Sequence, residues 1–265
     1  MHCDLSPLLS IIKAMWLILA SQNDASALWA FHGLRDRGLQ PLELIFAEML
    51  PFSLRWEHRV DARESSITIT LADGRIIRNS EVRGVLNRLT HVPLQHLSGN
   101  PDYDYASQEY SAFFMSWLSS FRGPVLNPAS SQGLAGAWRH ISEWVWLAAQ
   151  AGLPTPKYRQ TSADDIDEMV ELRKLFPAGT PTVTTVVVQD RVLGQSLTPE
   201  IERSCLKLAE LAQTPLLGID FAMTAVGAPW QFAGATPLPD LMLGGQPLLD
   251  HLARSLSAAN GKPNS

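Results

Sequence analysis

The chain has 265 residues, of which 46% are hydrophobic and 18% are charged, and this composition is typical of a globular protein with a sizeable core. Its formal net charge of −5 and the lack of a Lys/Arg cluster argue against a nucleic-acid partner. The two cysteines, Cys3 and Cys205, are too far apart in sequence for a disulfide framework or a zinc site, so a reducing cytoplasm is expected. Cys205 lies in a helical pattern, where a buried thiol acts as a small apolar residue.

An apolar run near the N-terminus, residues 8–20, is interrupted by Lys13. It is shorter than the roughly 20 residues that a bilayer span requires, and no small-residue cleavage site follows it. We therefore predict no membrane span and no secretion, and we expect a cytoplasmic protein. Met1 and Met15 remain alternative start residues, because the first predicted strand begins at Met15.

The first half of the chain predicts a strand–helix–strand unit with a parallel sheet, because apolar runs of strand length flank a segment with helical spacing. A hairpin follows, where alternating Ile67, Ile69 and Leu71 lead into an Ala-Asp-Gly turn. The predicted elements are a strand (15–20), a helix ended by Gly38, a strand or strand plus turn (41–50), a hairpin (65–79) and a strand ending in Asn87 and Arg88 (82–89).

The second half predicts more helix and two further sheet segments. Thr198 followed by Pro199 is a helix start signal, and Gly152 with Pro154 and Pro156 is a helix end signal. The predicted elements are helices at 105–121, 136–156, 162–176, 198–213 and 247–259, a short strand at 123–128, a hairpin at 182–197, and the strands "PLLGIDFAM" and "WQFAGATP". The fold class is α/β with α+β character.

The tryptophans of the predicted helix 136–156 divide between core and surface. Trp138, Ile141 and Val145 are spaced i, i+3, i+7, which is typical of a stripe that faces the core. Trp144 points away from that stripe, and exposed tryptophan is enriched at interfaces. We therefore predict that Trp144 is an interface residue, with burial in the core as the alternative.

Several short motifs occur in an order found in one group of enzymes: "GVLNRL", "ASQEY", "VLNP", "AAQAGLPTP", "VVVQDRVLGQSL", "GIDF" and "WQFAGATPLP". Over roughly residues 15–259 the chain resembles the ATP-grasp superfamily, specifically the RimK-like and peptide-cyclising (graspetide) ligases. The resemblance implies a pre-ATP-grasp βαβ domain at 15–134 and a reduced ATP-grasp half at 135–259. We expect the tail, 260–265, to be disordered.

The resemblance also implies a chemistry. Such ligases use ATP to phosphorylate a carboxylate, which an amine then attacks, and Mg²⁺ neutralises the phosphates. The family provides oxygen ligands for Mg²⁺ from an Asp near "GIDF" and from the Glu and Asn of a strand reading F-L-E-V-N-P. Here Asp220 matches the Asp, but Gly234 stands at the Glu position and Thr236 at the Asn position. We interpret Asp220 and Thr236 as remnants of a nucleotide and metal site.

The segment that would clamp the nucleotide is also reduced. In the family a lysine-bearing, β-rich subdomain lies between "LPTP" and the next hairpin, whereas here residues 157–181 have an acidic, helical pattern. Both losses favour a non-catalytic protein with no metal and no cofactor. The resemblance then implies a protein or peptide partner, and a role as an accessory in peptide or protein maturation.

Four polar residues are candidates for a groove that binds the substrate or partner. Arg83 and Arg88 flank a strand at whose end the family has a basic residue facing the substrate, and an arginine fork binds a carboxylate at two points. Glu109 and Asn127 lie in the family motifs "ASQEY" and "VLNP". The alternatives are ion pairs within the chain for the arginines and the fixing of loops for Glu109 and Asn127.

Two other functions stay open on the sequence. The first is an active ATP-dependent carboxylate–amine ligase that uses ATP and Mg²⁺, in which Asp190 or Asp240 joins Asp220 to hold the metal. The second is a structural subunit of a larger complex, a homo- or hetero-oligomer with an exposed Trp144.

Overall fold

The computed structural model describes residues 14–61, 65–94, 98–99, 101–158, 176, 179–223 and 228–258. The predicted tail (260–265) and nearly all of the predicted acidic helix (162–176) lie outside these residues. Within the described part of the chain, no helix is both long enough and apolar enough to cross a bilayer.

Eleven strands and five α-helices are present in the described residues. In chain order they are β1 (Met15–Ala20), α1 (Ala25–Asp36), β2 (Leu42–Phe46), β3 (Arg55–Val60), β4 (Ser65–Thr70), β5 (Ile76–Arg78), β6 (Val82–Asn87), α2 (Tyr103–Ser119), β7 (Val125–Leu126), α3 (Ile141–Gln150), β8 (Thr182–Val188), β9 (Arg191–Gly194), α4 (Pro199–Leu211), β10 (Leu216–Ala222), β11 (Gln231–Thr236) and α5 (Gly245–Ser257).

These strands form three sheets. The first is parallel, in the order β2-β1-β6-β7. The second is antiparallel, in the order β11-β10-β8-β9, and the third is a smaller antiparallel sheet in the order β3-β4-β5. The predicted α/β class with α+β character is confirmed by this mixture, as are both predicted hairpins.

The first sheet confirms the predicted βαβ opening. β1 pairs in parallel with β2, so that Trp16 lies opposite Leu42. The connecting helix α1 begins after Asp24, whose carboxylate accepts a hydrogen bond from the backbone N of Ala27 at 3.0 Å. Beyond its end, Gly38 has φ of +85°, a left-handed conformation that glycine adopts without strain.

Alternate residues of β1 enter two different cores, because side chains of a strand point to opposite faces. Ile18 and Ala20 pack with residues of α1, α5 and β8 in one core cluster. Leu17 and Leu19 pack with α2 and the third sheet in another. A third cluster covers the second sheet with α3 and α4. The first cluster contains residues of both halves of the chain, so the two halves share a core.

Helix α4 confirms the predicted cap and the predicted role of its cysteine. The Thr198 hydroxyl accepts a hydrogen bond from the backbone N of Ile201 at 3.5 Å. Cys205 is completely buried, and burial raises the pKa of its thiol to about 12. The thiol is therefore protonated at neutral pH and behaves as an apolar core group.

The last helix, α5, packs against the predicted domain to which it does not belong by sequence. α5 belongs by sequence to the predicted domain 135–259, yet it packs on α1 and β6 of the predicted domain 15–134. Trp16 Nε1 donates a hydrogen bond to Leu256 O at 3.0 Å across a sequence separation of 240. The division at residue 134 stays a prediction, and α5 is a contact between its two parts.

Candidate functional site

Arg88 is a buried structural residue. Its side chain is 5% exposed, and its Nε and Nη2 donate to the Asp24 carboxylate at 2.6 and 3.2 Å. Its Nη1 donates to Pro239 O at 3.0 Å. The prediction that Arg88 faces an open groove is therefore wrong, because its guanidinium is enclosed between the start of α1 and the segment that follows β11.

Asn127 links the two halves of the chain through a fully buried side chain. Its Oδ1 accepts from Leu216 N at 2.8 Å, and its Nδ2 donates to Leu216 O and Pro237 O, each at 2.8 Å. Asn87 Nδ2 donates to Asn127 O at 2.8 Å. Asn127 is thus not a groove residue, and its contacts agree with the alternative interpretation in which it fixes the backbone.

A cavity of about 490 Å³ opens at the carboxyl end of β6, beside α2. Ser107, Tyr110, Ser111 and Thr90 contribute hydroxyl groups to its wall, and Phe114 contributes an apolar surface. Its described lining contains neither lysine nor arginine. Open α/β sheets bind ligands at the carboxyl ends of their strands, so this cavity is the strongest candidate for a binding site.

A second cavity of about 480 Å³ lies next to the first and shares His91 and Pro93 with it. Neither cavity could be predicted from the sequence, because the segments that enclose each of them are far apart in the chain. One signal was present: Ser107, Ser111 and Phe114 recur at helical spacing in α2 and therefore share a face.

Arg83 and Glu109 are exposed, but they lie apart from this cavity. The Arg83 guanidinium is 5.2 Å from the centroid of the Trp16 ring, near the amino end of β6. Glu109 lies on α2, two residues from Ser107 and Ser111, and that spacing turns it away from the face of the helix that lines the cavity. The four predicted groove residues do not form one surface.

Trp144 is buried, so the prediction of an exposed interface residue is wrong. It is 6% exposed, whereas Trp138 and Trp146 are 70% and 60% exposed. The error arose because α3 begins only at Ile141, after the cap residue His140. Trp138 precedes the helix, so its spacing from Ile141 and Val145 does not indicate which side of the helix is buried.

Asp220 and the glycine at position 234 are neighbours across the β10–β11 ladder. A side chain on Gly234 would place its Cβ 3.8 Å from Asp220 Oδ2, which is an ordinary contact distance. On the other side, the Thr184 hydroxyl donates to Asp220 Oδ1 at 2.6 Å. Thr236, opposite Gly218 in the same ladder, accepts from the backbone N of Leu238 at 3.1 Å.

No protein-family model matches the chain, and no curated protein matches it. Solved structures do match over almost their whole length. The macrocyclase MdnC of Microcystis aeruginosa MRC, bound with the precursor peptide MdnA, has a TM-score of 0.68 at 15% identity, covering 91% of this chain and 99% of that one. The macrocyclase MdnB of the same organism has a TM-score of 0.65 at 15% identity, covering 92% and 99%. A RiPP-associated ATP-grasp ligase of Chryseobacterium gregarium, in complex with ADP and a leader and core peptide, has a TM-score of 0.66 at 12% identity, covering 92% and 95%.

The chain has an ATP-grasp fold. The resemblance that the motif order implies is thereby confirmed at the level of the fold. At these identities the likeness extends to the fold alone, and the chemistry depends on the residues present.

The described residues contain no group of three or more His, Cys, Asp or Glu side chains that could hold a metal ion. Asp190 lies 3.3 Å from His251 Nε2, and Asp240 accepts a hydrogen bond from the Ser26 hydroxyl at 2.7 Å. Neither of these two carboxylates joins Asp220, as an active ligase with rearranged ligands would require.

Proposed function

We propose that this protein is a non-catalytic member of the ATP-grasp fold that binds a peptide or protein partner and assists in peptide or protein maturation. One observation carries the proposal: Asp220 faces Gly234 across the β10–β11 ladder. The position where the resemblance requires a second carboxylate is adjacent to Asp220, and it has no side chain.

Phosphoryl transfer would lack a bound metal here, because Mg²⁺ requires several oxygen ligands. Mg²⁺ between phosphates is held by hard oxygen ligands in near-octahedral geometry, and phosphoryl transfer depends on that metal for charge neutralisation. Asp220 offers one carboxylate, and one of its oxygens already accepts a short hydrogen bond from Thr184. The hydroxyl of Thr236 accepts a hydrogen bond from its own turn.

A peptide partner is supported by the cavity beside α2 and by analogy with proteins of the same fold. MdnC was solved with a precursor peptide, and the Chryseobacterium ligase with a leader and core peptide. The cavity of about 490 Å³ combines hydroxyl groups with apolar surface, which suits a neutral peptide segment with apolar side chains.

Calorimetric titration of the purified protein with ATP is expected to give no heat that depends on Mg²⁺, and no ADP is expected to form. The physical reason is the single carboxylate at the Asp220 position. Asp220→Asn is expected to behave like the wild type in both assays. Turnover of ATP, or Mg²⁺-dependent binding that Asp220→Asn abolishes, would overturn the non-catalytic assignment.

Gly234→Glu tests the metal requirement by a separate measurement, thermal unfolding with and without Mn²⁺. It places a second carboxylate beside Asp220, where like charges opposite each other in a sheet are destabilising by about 0.2–1 kcal/mol. Mn²⁺ binds to the pair and offsets this loss, so the unfolding temperature of Gly234→Glu rises with Mn²⁺ and that of the wild type does not. Gly234→Gln, which adds no charge, is the matched comparison.

Filling the cavity beside α2 is expected to weaken peptide binding at least tenfold, which corresponds to about 1.4 kcal/mol. The variant is Ser111→Trp, and the probes are short linear peptides selected on the wild-type protein from a display library, with affinity measured by fluorescence anisotropy. Ser119→Trp lies on the same helix outside the cavity lining and is the matched control. Equal affinities for both variants and the wild type would exclude this cavity as the peptide site.

A further inference from the structure

β3 is an edge strand of the third sheet, and within the described residues β4 is the strand that pairs with it. Five of its six residues are exposed; Val60 is 70% exposed and Trp56 43%, and Leu54, just before the strand, is 70% exposed. An exposed edge strand offers unpaired backbone groups to another strand.

The charges along β3 follow an order that is complementary to itself. Residues 55–61 read Arg-Trp-Glu-His-Arg-Val-Asp. When this segment is placed antiparallel to a second copy about a two-fold axis at His58, Glu57 lies opposite Arg59 and Arg55 lies opposite Asp61. Each of these opposite-charge pairs occurs twice, and opposite charges facing each other across strands stabilise pairing.

Other registers are less favourable. If the two-fold axis lay between two residues, a residue whose backbone N–H and C=O point away from β4 would lie opposite one whose groups point toward β4. An antiparallel ladder excludes such a pair. An axis at Glu57 sets Glu57 against itself and Arg55 against Arg59, and an axis at Arg59 sets Glu57 against Asp61. The axis at His58 keeps nearly the full strand paired and opposes no like charges among the four charged residues.

The apolar residues agree with the same register. About His58, Trp56 of one copy lies opposite Val60 of the other, and aromatic–β-branched pairs are favourable cross-strand neighbours. Trp56 packs against α2, since its ring centroid is 4.3 Å from that of Phe113. This contact fixes the position of the Trp56 side chain before a second copy binds.

The arginine side chains of β3 remain accessible to a second copy, although both also interact with Glu57 within the strand. Glu57 accepts a hydrogen bond from Arg55 at 2.8 Å and contacts Arg59. The side chains of Arg55 and Arg59 are 71% and 78% exposed. Their ion pairs across the axis are solvated, so each pair adds modest affinity, and the pairs together set the register.

We propose that β3 pairs with β3 of a second copy of this chain about a two-fold axis at His58, joining two three-stranded sheets into one antiparallel sheet. This interaction goes beyond the proposed function and does not depend on it. One strand pair buries less than the roughly 1,200–2,000 Å² of a stable interface. The dimer is therefore weak, with a dissociation constant on the order of micromolar.

Sedimentation velocity over a concentration series tests the proposal on the full chain. The wild type is expected to shift from monomer to dimer, and Glu57→Arg and Arg59→Glu are each expected to weaken the dimer at least tenfold, because each opposes like charges across the axis. An equimolar mixture of these two variants restores the pairing, since the two positive charges at positions 57 and 59 of one variant then face the two negative charges of the other. The double variant Glu57→Arg/Arg59→Glu restores it within one chain.

Arg203→Glu is the matched control, because it makes the same charge change on an equally exposed side chain of α4 and is expected to leave the dimer unchanged. Circular dichroism confirms that each variant is folded. A wild type that stays monomeric throughout the series would overturn the proposal, and so would single variants that dimerise like the wild type. A mixture that fails to dimerise would reject the register about His58.

Discussion

Arg88→Met is expected to lower the free energy of unfolding by about 3–5 kcal/mol, the range for removing one partner of a buried ion pair. Asp24 would then keep a charge without its partner in a site that is only 15% exposed. The substitution also removes the donor to Pro239 O. Urea unfolding followed by fluorescence measures the change.

Two comparisons make the result specific. Arg83→Met removes an exposed arginine that stacks on Trp16, and such a contact is worth about 0.5–1 kcal/mol. The double variant Asp24→Asn/Arg88→Met is expected to be more stable than the sum of the single changes predicts, because it leaves no uncompensated charge. If Arg88→Met costs no more than Arg83→Met, the buried pair contributes no more to stability than the exposed contact of Arg83 does.

Asn127→Ala is expected to lower the free energy of unfolding by at least about 3 kcal/mol, because each buried polar group left without a partner costs about 1–3 kcal/mol. Two buried groups, the N and O of Leu216, and the partly buried O of Pro237 lose their partner. The measurement is again urea unfolding, with hydrogen exchange at the Leu216 amide as a local readout.

Asn79→Ala is the matched control for Asn127→Ala. Asn79 is also buried, and its side chain bonds Ile67 N and Ser65 O within the N-terminal half. Asn79→Ala is therefore expected to destabilise the protein without loosening β10, whereas Asn127→Ala also speeds exchange at the Leu216 amide. Equal exchange in the two variants would contradict the role of Asn127 in joining the halves.

Arg88 and Asn127 match residues of a substrate groove in the resemblance, but their hydrogen bonds within the chain make them unavailable for binding. Arg88 reaches Pro239 and Asn127 reaches Pro237, so both side chains hold the segment after β11 against the first sheet. That segment begins where the resemblance expects metal ligands. The same polar residue types are thus used here to fix the backbone at the junction of the two halves.

Much of the local structure could be predicted from the sequence, because local chemistry determines it. The Thr198 cap, the Gly38 stop and the hairpin at 65–79 each depend on residues a few positions apart. The match of Gly234 to the family's Glu position rests on the motif order and stays a prediction, and the strand pairing places Gly234 opposite Asp220.

The remaining features depend on contacts between distant residues. The partner of Arg88 is 64 residues away, and that of Asn127 is 89 residues away, so neither could be read from its own segment. The cavity beside α2 combines three separate segments. Trp144 was misassigned for a local reason, since the start of α3 at Ile141 fixes which side of the helix is buried.

The packing of α5 on the first sheet bears on how the chain folds during synthesis. One face of β1 and β6 is covered by residues near 250, and Trp16 bonds the backbone of Leu256. The ribosome must therefore have made the chain as far as Leu256 before this face is closed. Pairing of such sequence-distant segments is slow, so the nascent N-terminal half carries an open apolar face that a chaperone would be expected to shield.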